Sequence, residues 1–439
     1  MERMEKSGSY SAMLPILNQA CFGSYLILPF RFREGGFRSE WADRTFIPRD
    51  VTTADLNETT KSMLSRNGHV RIGSCWLIPR DVLFREMSGI EPTGTQTLCV
   101  ETENGARTFS LTDSWLYVFR SRVAFLALGI CFDDIRTLAD ILNPGGVDSR
   151  ASFRCSGPSG RMTFSLSDWV DTIASRAGLQ GMSGSGSNPF IDAFPYTLAV
   201  VPEPFPDLDA MKQASFNLHL MIPFGNPITD NSEDDVRFVY AIINEISHTF
   251  RWAACISSQS VAYLSADPDM DLSGQLMIRG RAGLPVVMLA LYEKYTCLRY
   301  TDAIADTDIR HLKPIRSLRM EMLEFKAYGT VAPANLSRWS NIRQIYRALL
   351  ETNEIPAAIA DVDYKISILD AYQREIVSGK TKLMTNLITA FGVVSILASV
   401  LTIIQILIGA KPVLWISLAL TAAVLFLAFL LTLFHRKNR

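Results

Sequence analysis

The sequence predicts a mixed α/β (or α+β) body, a long helical stalk and two C-terminal transmembrane helices, and three observations carry this. Strand-like and helix-like segments interleave through the first three quarters of the chain, as they do in α/β and α+β proteins. Two runs without a formal charge, Leu383 to Ile408 and Val413 to Phe434, stand close together near the C-terminus and hold 26 and 22 residues. Charge is split to match. The 439-residue chain carries 43 Lys+Arg against 44 Asp+Glu. From Arg374 onward, however, seven basic residues face the single acid Glu375, a local +6 that leaves −7 for residues 1–373. Near-balanced charge argues against a dedicated nucleic-acid binder, so no direct DNA or RNA binding is expected. A hydrophobic content of 48% argues against a disordered chain.

The body is expected over residues 1–335. Strands are predicted near Ser24–Pro29, Val70–Ile78, Thr108–Leu111, Trp115–Phe119, Val123–Cys131, Met162–Ser165, Tyr196–Val201 and Leu218–Ile222. Helices are predicted near Asp133–Leu142, Ser167–Arg176, Asp234–Glu245, Leu284–Tyr300 and Asp308–Tyr328. The Gly/Ser stretch from Gly178 to Asn188 reads as a surface loop, with a lobe boundary near 178–189. The acidic run Asp230, Glu233, Asp234, Asp235 reads as the cap of the helix that follows.

A stalk is expected over residues 336–382. A helix from about Ser337 to Thr352 should pack against a rod that starts after Pro356, because proline is tolerated in a first helical turn but not an interior. Ile359, Val362, Ile366, Leu369, Gln373, Ile376, Lys380, Leu383 and Leu387 keep one 3–4 spacing, so the rod should continue into the first span and end at 408. Gly379 interrupts it near the bilayer surface as a possible hinge.

Residues 383–439 read as a two-helix membrane domain with a basic tail. A hydrocarbon core needs roughly 20 apolar residues at about 1.5 Å rise, and both runs meet that length. The link Gly409-Ala410-Lys411-Pro412 permits a helical hairpin with both ends on one side. Lys380 and Lys382 precede the hairpin, Arg436, Lys437 and Arg439 follow it, and Lys411 stands alone in the turn. The positive-inside rule then places both termini in the cytoplasm of a multi-pass inner (cytoplasmic) membrane protein. Residues 1–18 are too polar for a signal-peptide core, and the seven cysteines are scattered without any CxxC pair, as reduced thiols are.

One face of the first span carries Thr385, Thr389, Gly392, Ser395, Ser399, Thr402, Gln405 and Gly409, at spacings of three and four. Small and hydroxylated residues so placed serve either close helix packing or the lining of a narrow pore in a ring of subunits. In a ring of five the stripe would do both.

A cytoplasmic α/β body, a long helix entering a first span, a short outer loop, a second span and a basic tail resemble the CorA-type metal transporter superfamily, most closely over residues 285–439. Family transporters carry Gly-Met-Asn at the outer end of the first span. Here Ile408-Gly409-Ala410-Lys411-Pro412 stands instead, and Lys411 repeated around a ring would repel Mg²⁺. The chain is more similar to CorA-like proteins encoded beside type III CRISPR systems. Ser114–Phe119 with Val123–Leu128 looks like their early strand pair, and Phe250–Ser258 with Leu284–Tyr300 like their middle part. That resemblance implies a homo-oligomer (a pentamer) in membrane lipid, acting in antiviral defence when a small signal nucleotide of the adenine type binds the body. Two other readings stand beside it: a divalent cation (Mg²⁺) transporter with a non-standard selectivity loop, and a membrane-anchored α/β binding module without a pore.

The body shows no catalytic constellation, so no enzyme is expected. Gly184-Ser185-Gly186 lacks a flanking strand and helix, Gly379-Lys380-Thr381 lacks the first glycine of a phosphate loop, and the five histidines are isolated. Asp267, Asp269 and Asp271 alternate like a calcium loop, yet Leu272 and Ile278 occupy the required Gly and Glu positions. They read as a solvated turn or as a divalent-cation site between subunits. For a nucleotide, the candidates are Arg251 for phosphate, Trp252 for stacking, and Ser257, Ser258 and Gln259 as polar partners.

Overall fold

The computed structural model describes residues 8–68, 71–88, 97–102, 105–142, 152–157, 160–182, 190, 192–226, 235–240, 250–266, 272–307, 312–408, 415–416 and 419. The chain forms two compact units, Met1–Asp306 with Ser317–Tyr364, and Thr307–Arg316 with Lys365–Arg439.

The first unit opens with α1 (Gly8–Leu17), β1 (Cys21–Arg31), α2 (Ser39–Thr45), β2 (Ile47–Arg49), α3 (Glu58–Met63), β3 (Gly73–Ile78), α4 (Arg80–Ser88), β4 (Thr97–Thr102), β5 (Gly105–Leu111), β6 (Ser114–Phe119) and β7 (Val123–Phe132). It continues with α5 (Arg136–Leu142), β8 (Ser152–Gly157), β9 (Gly160–Ser165), α6 (Leu166–Ala177), β10 (Gln180–Gly181), β11 (Phe194–Val201), α7 (Leu208–His219), β12 (Arg237–Tyr240), β13 (Trp252–Ile256) and β14 (Val261–Ala266). The closing helices are α8 (Leu272–Ala305), α9 (Leu312–Glu324) with a π-turn at Phe325–Gly329, α10 (Pro333–Leu336), α11 (Ser340–Thr352) and α12 (Ile355–Ile408).

The described strands join one mixed sheet in the order β12-β13-β14-β11-β1-β7-β5-β4-β8-β9, with β10 on β1 and the chain β2-β3-β6 branching from β7. Strand pairs are antiparallel except β11 with β14, which run parallel. The central strands β1, β7 and β11 are nearly all apolar because both of their faces are covered. Phe22, Leu26, Leu28 and Phe30 of β1 join a core that includes residues of α1, α5, α6 and α7. On the other face α8 lies so close that a Cβ on Gly283 would clash with the Tyr196 hydroxyl oxygen. Only glycine permits that approach. Phe119 stacks on Tyr292 with centroids 4.3 Å apart, and Phe125 meets Tyr295 edge-on.

Several expectations need correction. Leu218–Ile222 is no strand: α7 runs through His219, started by Asp207, whose side chain accepts a hydrogen bond from the Ala210 N–H at 2.7 Å. The apolar run concealed the end of a helix whose start signal, Asp207, lies well upstream. Conversely, within Asp234–Glu245 the described residues hold strand β12 at Arg237–Tyr240, where Phe238, Val239 and Tyr240 favour a pleated surface. Within the glycine- and serine-rich stretch 178–189, β10 pairs with β1, as β11 does after it. Helix α11 packs on α8, β12 and β13 within the first unit.

The rod is present as α12, a helix of 54 residues. In the first unit its Ile355 and Val362 are buried. In the second unit, a stretch of the helix is long and apolar enough to cross a membrane, and none of that stretch is buried. The second expected span, Val413 to Phe434, lies almost wholly outside the described residues.

Candidate functional site

The β3–β6 corner of the sheet concentrates cations. Ile72 lies just before β3 and accepts a hydrogen bond from the Arg120 N–H at 2.8 Å, so Arg71 and Arg120 start from neighbouring backbone positions. The turn from β6 to β7 is Arg120-Ser121-Arg122, with Arg122 in the left-handed region at φ 65°. Ser121 is tied to Thr296 of α8 by a 2.8 Å hydroxyl pair.

Two adjoining cavities open here, and Arg71 and Arg120 line both. The first, about 290 Å³, is aromatic, with Tyr292, Tyr300, Phe325 and Tyr328 beside Glu321 and Glu324. The second, about 480 Å³, is lined by Arg66, Asp43, Trp76, Phe37 and Ser74. The two cavities meet at Arg71 and Arg120 and are together termed the cleft.

The charges are organised. Asp43 accepts from Arg66 at 2.5 Å and from the Trp76 indole at 2.8 Å, which lays the Arg66 guanidinium 4.8 Å over the Trp76 ring. The Arg66 bond, helped by Trp76, holds the Asp43 carboxyl below its ordinary range against the opposing effect of burial. Glu321 is clamped by Arg122 at 2.5 Å and Arg299 at 2.8 Å. Burial would raise the Glu321 carboxyl, but those two arginines outweigh it and hold it low. Arg71 donates to the Ser74 hydroxyl and, among the described residues, makes no ion pair. Burial and the neighbouring Arg66 and Arg120 push its pKa down. The lining balances three guanidiniums (Arg66, Arg71, Arg120) with three carboxylates (Asp43, Glu321, Glu324), and Arg122 and Arg299, which line neither cavity, add positive charge behind Glu321. The buried Arg66 Nε has no partner among the described residues. Such a cleft suits an anion that also carries a flat ring.

The site expected from sequence lies elsewhere. Arg251 and Trp252 stand at one end of β13 and Ser257, Ser258 and Gln259 at the other, separated by roughly 20 Å of extended chain. Trp252 stacks on Tyr263 at 5.6 Å. Ser257 accepts from the backbone N–H groups of Gln259 and Ser260, and the Ser258 carbonyl accepts from Lys294 at 3.1 Å. These serines build the β13–β14 turn, at the far end of β13 from Arg251 and Trp252. Asp267, Asp269 and Asp271 fall outside the described residues, as do Gly409, Lys411 and the Gln405 side chain. No cluster of metal-ligating side chains occurs among the described residues. His219 is a core residue, bonded to Ser260 at 2.7 Å, with burial holding its pKa down to about 4.

On α12, Thr385, Thr389, Gly392, Ser395, Ser399 and Thr402 are exposed. The hydroxyls of Thr385, Thr389, Ser399 and Thr402 donate at 2.8–2.9 Å to carbonyls one turn earlier in the same helix. They are satisfied without a neighbouring helix.

The cleft was missed because its residues are distant in sequence. The one local signal is Arg-Ser-Arg set between two buried, largely apolar strands. No known protein family's profile matches this chain, and no curated protein matches it.

Proposed function

We propose that the chain is a membrane effector whose body receives an anionic, ring-bearing ligand of the nucleotide type in the Arg71–Arg120 cleft. Several copies, each with two spans in a CorA-like arrangement, then respond in the bilayer, as a channel or by disrupting it. The observation that carries the reading is one of connection inside the body. Phe325, Tyr328 and Gly329 of the π-turn line the cleft, and Lys326 of the same turn pairs with Asp363 of α12 at 2.8 Å. π-turns inside helices often mark functional positions. A ligand pressing on that turn acts on the helix whose far part is apolar and exposed. Purified protein in lipid vesicles should release a trapped dye when an adenine nucleotide messenger is added, and Lys326→Ala should weaken that response. Absence of any ligand-dependent release refutes the effector reading.

A second reading, a membrane-anchored binding module without a pore, is favoured by the hydroxyls of α12. Because each bonds to its own helix, exposure to lipid costs little. Replacing Ser399 and Thr402 by Leu leaves an anchor active and disables a pore.

A further inference from the structure

The arginines of the cleft are engaged to different degrees. Arg66 is held by Asp43 at 2.5 Å, whereas Arg71 has a hydroxyl partner and, among the described residues, no ion pair. Arg120 stands 3.8 Å from Glu324, both side chains more than half exposed. That separation is too long for a hydrogen bond, and such exposed pairs are weakly held. Arg71 is partly buried with no matching anion among the described residues, which is unfavourable, and a phosphate would relieve it. A phosphate offers several oxygens and can engage two arginines at once, which a single distant carboxylate does not.

We infer that Arg71 and Arg120 form the seat for a phosphate group, and that Glu324 is its internal competitor, resting beside Arg120 until a phosphate replaces it. This deepens the functional reading of the cleft and rests on it. Glu324 immediately precedes the π-turn, so its displacement acts where the cleft wall joins the Lys326–Asp363 pair. The ligand class is a phosphate ester or anhydride, with the aromatic cavity left for whatever the phosphate carries.

The test uses the full chain in detergent and inorganic pyrophosphate as the probe, followed by calorimetric titration at low and high salt. Arg71→Gln and Arg120→Gln should each weaken binding about tenfold. Glu324→Gln should tighten it about threefold, and Arg347→Gln, an exposed arginine on α11, should change nothing. Equal or weaker binding by Glu324→Gln overturns the competitor role. Loss of affinity no greater for Arg71→Gln and Arg120→Gln than for Arg347→Gln, or no pyrophosphate binding by the unaltered chain, overturns the seat. Because Arg120 is exposed, its variant keeps the test valid if Arg71→Gln folds poorly. Pyrophosphate binding with this pattern, in a protein that never permeabilises vesicles, would leave the seat standing and sink the effector reading alone.

Discussion

The sheet body and the distal part of α12 satisfy their polar groups in opposite ways. In the body, buried groups also take partners far apart in sequence. Glu293 of α8, 3% exposed, accepts from the Tyr346 hydroxyl of α11 at 2.6 Å and from the Val331 N–H at 3.0 Å. On α12, hydroxyls bond to carbonyls four residues earlier. The body therefore depends on its tertiary packing, while the helix carries its satisfaction along its own backbone. This is the requirement that lipid imposes, where backbone and side-chain polar groups find no water.

The sharpest way to probe that difference is pH. Burial raises the Glu293 carboxyl to about 7, against the bonds from Tyr346 and Val331 that lower it. Its unfolded counterpart ionises near 4.5, so its contribution to stability is lost as pH rises from about 4.5 to 7. His219 has the opposite sign: native pKa about 4 against 6.5 unfolded, so stability is lost as pH falls through that window. The two slopes oppose each other in the unaltered protein. Glu293→Gln should expose the His219 slope, with unfolding free energy of the detergent-solubilised chain falling by roughly 2 kcal/mol from pH 7 to pH 5. A variant whose curve runs parallel to that of the unaltered chain would break the argument.

Glycine offers a smaller, paired comparison. Gly283→Ala in α8 should cost about 2 kcal/mol by overpacking against Tyr196, and Tyr196→Phe in the same chain should recover much of it. Gly379→Ala in α12 meets nothing within 4 Å and should stabilise the helix by about 0.5–1 kcal/mol. Denaturant midpoints measure both, and equal effects at the two positions would erase the contrast. Smallest of all, Ser399→Ala should change helix content by circular dichroism hardly at all, since the lost hydroxyl served its own helix. A marked loss would show that it bonds to another helix.

The legible parts of this chain are those with local causes. Trp115–Phe119, Val123–Cys131 and Tyr196–Val201 were readable as strands because apolar, β-favouring runs ended at turn residues. The α12 rod was readable because a 3–4 apolar spacing ran unbroken past Pro356. Strand β12 and helix α7 were misread where the acidic run before Val236 resembled a helix cap and the Asp207 cap was overlooked. The ligand candidates were chosen for closeness in sequence. A five-residue strand then set Arg251 and Ser257 at opposite ends, because an extended chain separates what a helix would keep near.

What the sequence determined by itself was the α/β character of the body, the 54-residue helix and its apolar, uncharged far stretch, all consequences of periodicity and of charge placement along the chain. Tertiary structure alone decided that Arg71 and Arg120 line one cavity with Tyr292 and Tyr328 and an adjoining one with Arg66. Pairing of β3 with β6 brings residues from the 60s to the 120s together, and helix packing on that corner supplies the aromatic wall. Contacts of that kind are set by which faces bury each other, and no local pattern records them.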